Sequence, residues 1–520
     1  MRLSPLCGIY APALLLGTWV QQGEAQGQSS APVARAAATI TAQDVARHIG
    51  IIADDSMLGR DTPSRGLDLT ARYVADQFRA FGLRPGGDRG SWLQHYTVAR
   101  RRLDLERSQV IFSAGGRADS AGFTTSARYE GGPIPEKTIR GSVVLVSGQH
   151  RLGTSGELNL VGRVVIYVPP WESDPDLVQE TLQALYLSGP TALVTLSGAS
   201  TERFRQAIPS RAPERVVVQG SESGPVVLQV HAAAVGPSLA AAEVDLDRLQ
   251  RDPDPSVQTL DRLRITVDLR DTVLSSLSAP NTVGILEGSD PTLKNEYLVY
   301  SAHMDHIGIT PGRPDSINNG ADDDASGTAG VIELAQAFSR RGARPLRSLV
   351  FLTVSGEEQG LWGSNYFSAN PPVPVENIVA NINLDMISRN WPDTIVAIGK
   401  EHSTLGTTLD RVNSAHPELG ITAIDDQWPD ERFYYRSDHY NFARRGVPIL
   451  FFFNGVHEDY HQVTDSPDKV NAEKESRILK LLFYLGQDIA NAESRPTWNE
   501  ESYSEIVEEK SVRGNAKRER

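Results

Sequence analysis

Histidines and carboxylates gather in five short stretches of the second half of this chain: Ser301-Ala-His303-Met-Asp305-His306-Ile-Gly308, Asn319-Gly-Ala-Asp322-Asp323-Asp324-Ala-Ser-Gly327, Ser355-Gly-Glu357-Glu358-Gln359-Gly360, Asn383-Leu-Asp385-Met386 and Gly455-Val-His457-Glu-Asp-Tyr460-His461. Imidazole and carboxylate donors without thiolates suit hydrolytic divalent metals, zinc first, with manganese and cobalt behind it. An aspartate between two such ions can bridge them at roughly 3.5–4 Å and hold a hydroxide between them. Of two adjacent glutamates, one can ligate while the other takes a proton from that water. In His303-x-Asp305 the carboxylate can orient a ligating imidazole. Each motif alone has a plainer reading. His303 can be an ordinary buried histidine, the three aspartates a turn that caps a helix, and the glutamates an exposed pair favoured by a helix dipole. Asp385 resists the plain reading, because a carboxylate that ends a buried apolar strand must be paired or bind a cation.

These stretches need elements to hold them on one side of the molecule. After Asn281, strands and helices alternate as in a doubly wound α/β domain. Near-continuous apolar runs predict strands at 297–301, 348–354, 378–384 and 448–453, buried on both faces. A helix is expected over 327–340, with Val331, Leu334, Ala335 and Phe338 facing inward, and another over 478–490. Ligands of open α/β sheets bind outside the carboxyl ends of the strands, and each candidate strand runs into one of the polar stretches. The segment 41–87 reads as helices broken by a loop, with Leu69, Tyr73, Val74, Phe78 and Phe81 on one stripe of 68–82. From about 97 to 271 the texture is β-rich, with strands expected at 142–147, 163–168, 192–196 and 226–230 and one helix over 177–187. The whole is expected to be an α/β fold, a doubly wound mixed sheet with helices on both faces, carrying an inserted β-rich module. The expected organisation is an N-terminal part of the main domain (26–97), the inserted module (98–275), the main domain (276–494) and a charged, solvated tail (495–520).

With 520 residues the chain is long for one domain, and 40% hydrophobic with 22% charged residues is the composition of a soluble globular protein. Its 51 basic and 65 acidic residues give a net charge of −14, which argues against a binder of nucleic-acid backbone. Arg2, an apolar stretch around 11–20 and Gly23-Glu-Ala25 describe a secretory signal over 1–25, so the protein is expected to be secreted or periplasmic. No later stretch reaches the roughly 20 apolar residues of a membrane span, so stable membrane insertion is not expected. Cys7 is the only cysteine, so disulfides and thiolate metal sites are ruled out. No feature specifies an oligomeric state.

Together, His303-x-Asp305, Gly320-Ala-Asp-Asp323-Asp-Ala-Ser-Gly327, Gly356-Glu357-Glu358, Leu384-Asp385-Met386 and Tyr460-His461 resemble the di-zinc exopeptidases of the bacterial leucyl aminopeptidase, aminopeptidase S and aminopeptidase Y type, over about 281–490. The resemblance implies two zinc ions bridged by Asp323, one also held by His303 and Asp385, the other by Glu358 and His461. It implies Glu357 as general base, Asp305 as support for His303, Tyr460 as an oxyanion stabiliser, Arg436 as a substrate-binding residue and a cis peptide at Asp323-Asp324. The inserted module resembles a protease-associated domain that shapes access to the site. The implied activity is aminopeptidase action on a peptide with a free N-terminus. Carboxypeptidase or glutaminyl cyclase action, or a non-catalytic binding role as in the transferrin-receptor ectodomain, are the alternatives on the same scaffold. Trp391, Trp428, Phe433 and Tyr434 fall in loops that could line a side-chain pocket, with plain packing as the simpler role for each.

A rival reading lies in His457-Glu458-Asp459-Tyr460-His461, which fits H-E-x-x-H with Glu458 as base on a single zinc. That motif needs a helix so that both histidines share a face. Here it follows an apolar strand end and runs into Thr464-Asp-Ser-Pro467, with no amphipathic helix around it.

Overall fold

The four apolar runs form adjacent parallel strands because each can bury both faces. In the computed structural model they are Tyr297–His303, Ser348–Val354, Ile378–Leu384 and Ile449–Phe453. The structure describes residues 30–135, 137–148, 160–172, 174–218, 224–312 and 314–507. The expected export signal lies outside these residues. The sheet has ten strands, with Ser348–Val354, Tyr297–His303, Ile378–Leu384 and Ile449–Phe453 side by side at its centre. Thr394–Ile398 and Thr422–Ile424 extend one side, while Asp271–Leu286, Leu93–Leu103 and Glu214–Val218 extend the other in antiparallel register.

Alternation along each strand sends side chains into two cores. Leu298, Tyr300, Ala302, Phe351, Ile382 and Phe452 pack on one face against the helices Ala42–Ile52, Gly327–Phe338 and Ala472–Asn491. Val299, Val350, Leu352, Phe451 and Phe453 pack on the other, against Phe367 and Phe442 of the short helices Trp362–Ala369 and Tyr440–Ala443. The mixed α/β sheet with helices on both faces is as expected. Gly327–Phe338 is buried except at half-buried Gln336, Glu333 included, because it lies between the sheet and the helices Ala42–Ile52, Arg65–Ala80 and Ala472–Asn491. The first long helix starts earlier than its apolar stripe suggests: Ser64 caps it by accepting from the Leu67 amide, and Leu67, Ala71, Val74 and Phe78 are its buried face. Leu69, Tyr73 and Phe81, expected on that face, are only half-buried.

A second sheet of eight strands, from Gln109–Ala114 to Ser256–Asp268, closes its own core around Phe112, Leu145, Ile166, Val194 and Leu228. Leu93–Leu103 and Asp271–Leu286 pair with each other along their length within the ten-stranded sheet. The start of the tail is not solvated as expected. Asn499 caps the helix Glu500–Ile506, Ile506 joins the core, and the Trp498 indole donates to the Gly446 carbonyl.

Candidate metal centre

The strand ends bring the expected residues to one place. Asp323 stands between two histidines: its Oδ1 is 3.3 Å from His303 Nε2 and its Oδ2 is 3.2 Å from His461 Nε2. His303 Nε2 also lies 3.5 Å from Asp385 Oδ1, and His461 Nε2 lies 3.1 Å from Glu358 Oε2. One aspartate thus offers an oxygen to each of two constellations, His303 with Asp385 and His461 with Glu358.

The donor set suits a cation: His461 Nε2 and Glu358 Oε1 are buried with ion-pair contacts and no hydrogen bond. Burial alone would depress the His303 imidazole and raise the Asp323 carboxyl. The charges packed around them reverse both effects: Asp385, Glu357, Asp305 and Asp323 raise His303 well above its ordinary range, and His303 and His461 hold Asp323 well below its own. His461 behaves alike: burial pulls it down, yet Asp323 and Glu358 raise it to about 10. Imidazole and carboxylate donors in this arrangement fit zinc.

Supporting bonds fix the donors. His303 Nδ1 is 3.3 Å from the Asp305 carbonyl oxygen and 3.7 Å from its Oδ1, which leaves Nε2 to face Asp323 and Asp385. Asp305 Oδ1 also accepts from the Glu357 amide, tying the first loop to the third. Asp385 is reached by a chain of buried donors: Asn381 to Ser301 (2.8 Å), Ser301 to Asn383 (2.6 Å), Asn383 to Ser437 (3.3 Å) and Ser437 to Asp385 Oδ2 (2.9 Å). Glu357 borders the cavity, and burial, with Asp438, Asp385 and Glu358 adding to it against His303, keeps its carboxyl well above the usual range. That is the setting of a proton acceptor. Tyr460 stacks on His461, with ring centroids 3.9 Å apart, and burial raises its phenol.

The three consecutive aspartates have three different tasks. Asp323 faces the histidines. Asp324 also lies near His303 and Asp385, but its oxygens accept from the amides of His303, Gly327 and Met386, so it orders the loop. Asp322 accepts from the amide and hydroxyl of Ser388 and faces His457 Nε2 at 3.2 Å. The peptide Asp323-Asp324 is cis. Gly320 precedes this loop at φ +56°, where a Cβ would come within 2.2 Å of the Asp323 carbonyl oxygen and 2.5 Å of the His306 ring.

His457 and His461 sit in turns and share no helix face, because the apolar strand before them ends at Phe453 and no amphipathic segment follows. With His457 committed to Asp322, the single-zinc H-E-x-x-H reading has no geometry to support it. Arg436 borders the cavity with an exposed guanidinium 4.6 Å over the Phe433 ring, held by Glu431. Of the four loop aromatics, Phe433 lines the cavity. Trp428 packs edge-on behind it and under Gly455, Trp391 stacks on Trp428, and Tyr434 is buried against His402 and His439. The cavity adds Met386, Phe451, Phe453 and Val456 to the polar residues.

Three further groups join the site. His306 is fully buried with Nδ1 2.8 Å from Glu358 Oε1; its place three residues after His303 was the available signal. Asp465 accepts from the amides of Asp322 and Asp323, and burial, with Asp322 adding to it, raises its carboxyl to about 6. Asp438 is buried among Glu357, His303 and Asp385, raised to about 7 by burial against the pull of His303 and Ser364. Neither carboxylate belongs to a spacing pattern that singles it out.

Residues 281–486 match the model of peptidase family M28. The chain is similar to leupeptin-inactivating enzyme 1 of Streptomyces exfoliatus, 30% identical over 212 residues that cover 40% of this chain and 43% of that protein. It is also similar to a probable zinc metalloprotease of Pyricularia oryzae, 27% identical over 270 residues that cover 42% and 52% of the two chains. The chain therefore spans about half the length of the curated relatives it matches. Among solved structures it is similar to the aminopeptidase from Aneurinibacillus sp. strain AM-1, at a TM-score of 0.46 and 16% identity, covering 89% of this chain and 97% of that one. The residues that match this family model, 281–486, carry the histidines and carboxylates of the centre.

Proposed function

We propose that this chain is a zinc-dependent exopeptidase that removes N-terminal residues from peptides. The observation that carries the reading is Asp323, placed with one oxygen toward His303 and the other toward His461. Asp323, His303 and Asp385 would hold one zinc, and Asp323, Glu358 and His461 the other. Bound there, zinc lowers the pKa of water and polarises a carbonyl. Glu357 accepts the proton of the attacking water as its oxygen adds to the scissile carbonyl. It then delivers that proton to the nitrogen as the C–N bond breaks, and the second proton of the water passes from the new carboxyl to the amine, so an ammonium and a carboxylate leave. The Tyr460 hydroxyl donates to the oxyanion. The anionic floor of the cavity favours a protonated α-amino group, and Met386, Phe433, Phe451 and Phe453 favour an apolar first side chain. The eight-stranded sheet is read as a protease-associated-like module beside this site. The N-terminal 25 residues are read as an export signal, so protein recovered outside the cytoplasm should start near Gln26.

The test is hydrolysis of leucyl-p-nitroanilide beside its N-acetylated counterpart, each with and without a chelator. Chelator-sensitive cleavage of the free-amine substrate alone is expected. Cleavage of neither by zinc-loaded protein would turn the reading toward carboxypeptidase, cyclase or binding.

A further inference from the structure

Arg60 lies far outside residues 281–486 and closes a short turn after the helix Ala42–Ile52. Its guanidinium is fully buried. Nε donates to the Met304 carbonyl (2.9 Å), Nη1 to those of Ile52 (2.9 Å) and Asn319 (2.6 Å), and Nη2 to that of Gly320 (2.9 Å). All four bonds go to main chain and none to a carboxylate. A buried charge costs several kcal/mol unless its surroundings compensate. Here burial lowers the guanidinium to about 10, while Asp305, Asp323, Asp465 and Asp324 act against that loss.

The partners matter more than their number. Met304 sits between His303 and Asp305, and Asn319-Gly320 lead into the loop of Asp323. Arg60 therefore joins the loop that presents His303 to the loop that presents Asp323. Its backbone adds to the clamp: the His306 amide donates to the Arg60 carbonyl (3.4 Å) and the Gly308 amide to that of Gly59 (3.0 Å). Gly59, at φ +67°, lets the turn approach this closely, since a Cβ there would come within 2.4 Å of the Gly308 carbonyl oxygen.

We propose that Arg60 is a positioning residue of the metal centre, its planar guanidinium fixing the spacing between the His303 and Asp323 loops so that both can face one ion. The proposal rests on the zinc reading above. A planar fork on four carbonyls is something a lysine cannot reproduce. The test uses the full chain, stripped of metal, as wild type, Arg60→Lys and Arg60→Gln. Zinc stoichiometry and affinity are read by competition with a chromophoric chelator, ligand geometry by the visible spectrum of the cobalt-loaded protein, and folding by far-UV circular dichroism. Wild type should bind two zinc ions. Folded Arg60→Lys should bind at least one of them about 10-fold more weakly and Arg60→Gln up to about 100-fold, the range for partners that orient ligands. Both should show an altered cobalt spectrum. Wild-type affinity and spectrum in either folded variant would overturn the proposal, and Arg60→Lys decides alone if Arg60→Gln does not fold. A wild-type protein that binds no zinc would overturn the zinc reading itself, a result separate from failure of the clamp.

Discussion

The two sheets of this molecule obey the same packing rules and treat charge in opposite ways. In the eight-stranded sheet the buried polar side chains are small or neutral, among them Ser147, Thr181, Ser238 and Gln250, and among its described residues 104–269 no carboxylate is buried. At the strand ends of the ten-stranded sheet Asp305, Asp322, Asp323, Asp324, Asp385, Asp438 and Asp465 are all buried, and several of their oxygens lack a partner. A fold does not pack carboxylates this densely for stability, because each costs several kcal/mol to dehydrate without compensation. On the proposed function, the contrast separates a scaffold sheet from one whose strand ends would hold cations.

Removing the cation should therefore separate the two most strongly. Chelation is expected to abolish hydrolysis. It should also lower the thermal midpoint, since zinc a thousandfold above its dissociation constant stabilises by on the order of 4 kcal/mol. Calorimetry with and without zinc checks this, and a midpoint indifferent to zinc would undo the contrast. Next in size, Glu357→Gln should lower kcat by about 10²–10⁴-fold with both zinc ions retained; loss of a metal on analysis would move Glu357 into the ligand set. Ser437→Ala removes the donor to Asp385 Oδ2 and should weaken zinc binding by about 10-fold, read by chelator competition. In the scaffold sheet, Phe112→Ala empties a fully buried site and should cost about 3–5 kcal/mol in urea unfolding, while zinc content and kcat of the folded protein stay unchanged. Smallest in catalysis is His457→Ala. It faces Asp322 and no candidate ligand, so activity should remain near wild type with about 1–3 kcal/mol of stability lost. A collapse of both metal content and activity would revive the single-zinc alternative.

Much of the ten-stranded sheet was legible before any coordinates. Ser348–Val354 and Ile378–Leu384 fall where their apolar runs place them, because a strand buried on both faces needs an unbroken apolar run. Thr394–Ile398 and Thr422–Ile424 were not legible, since strands of five and three residues toward the side of a sheet are defined by their neighbours more than by their own pattern. The polar ladder from Asn381 to Asp385 was hidden for a related reason. Asn381 and Asn383 look like interruptions in a strand until Ser301 and Ser437, distant in the chain, are set beside them.

The sequence by itself determined which residue types can meet zinc and that they follow strand ends, because periodicity and donor chemistry are local properties. The resemblance singled out Asp323, and the tertiary structure supplies the physical reason that it, rather than Asp322 or Asp324, stands between the histidines. Tertiary structure alone decided that His457 serves Asp322 and that Arg60 grips two loops more than two hundred residues away in the chain. Identical side chains in consecutive positions carry no local signal of their separate tasks. Which one is left free for a cation depends on the amides and carbonyls that distant segments bring to its neighbours.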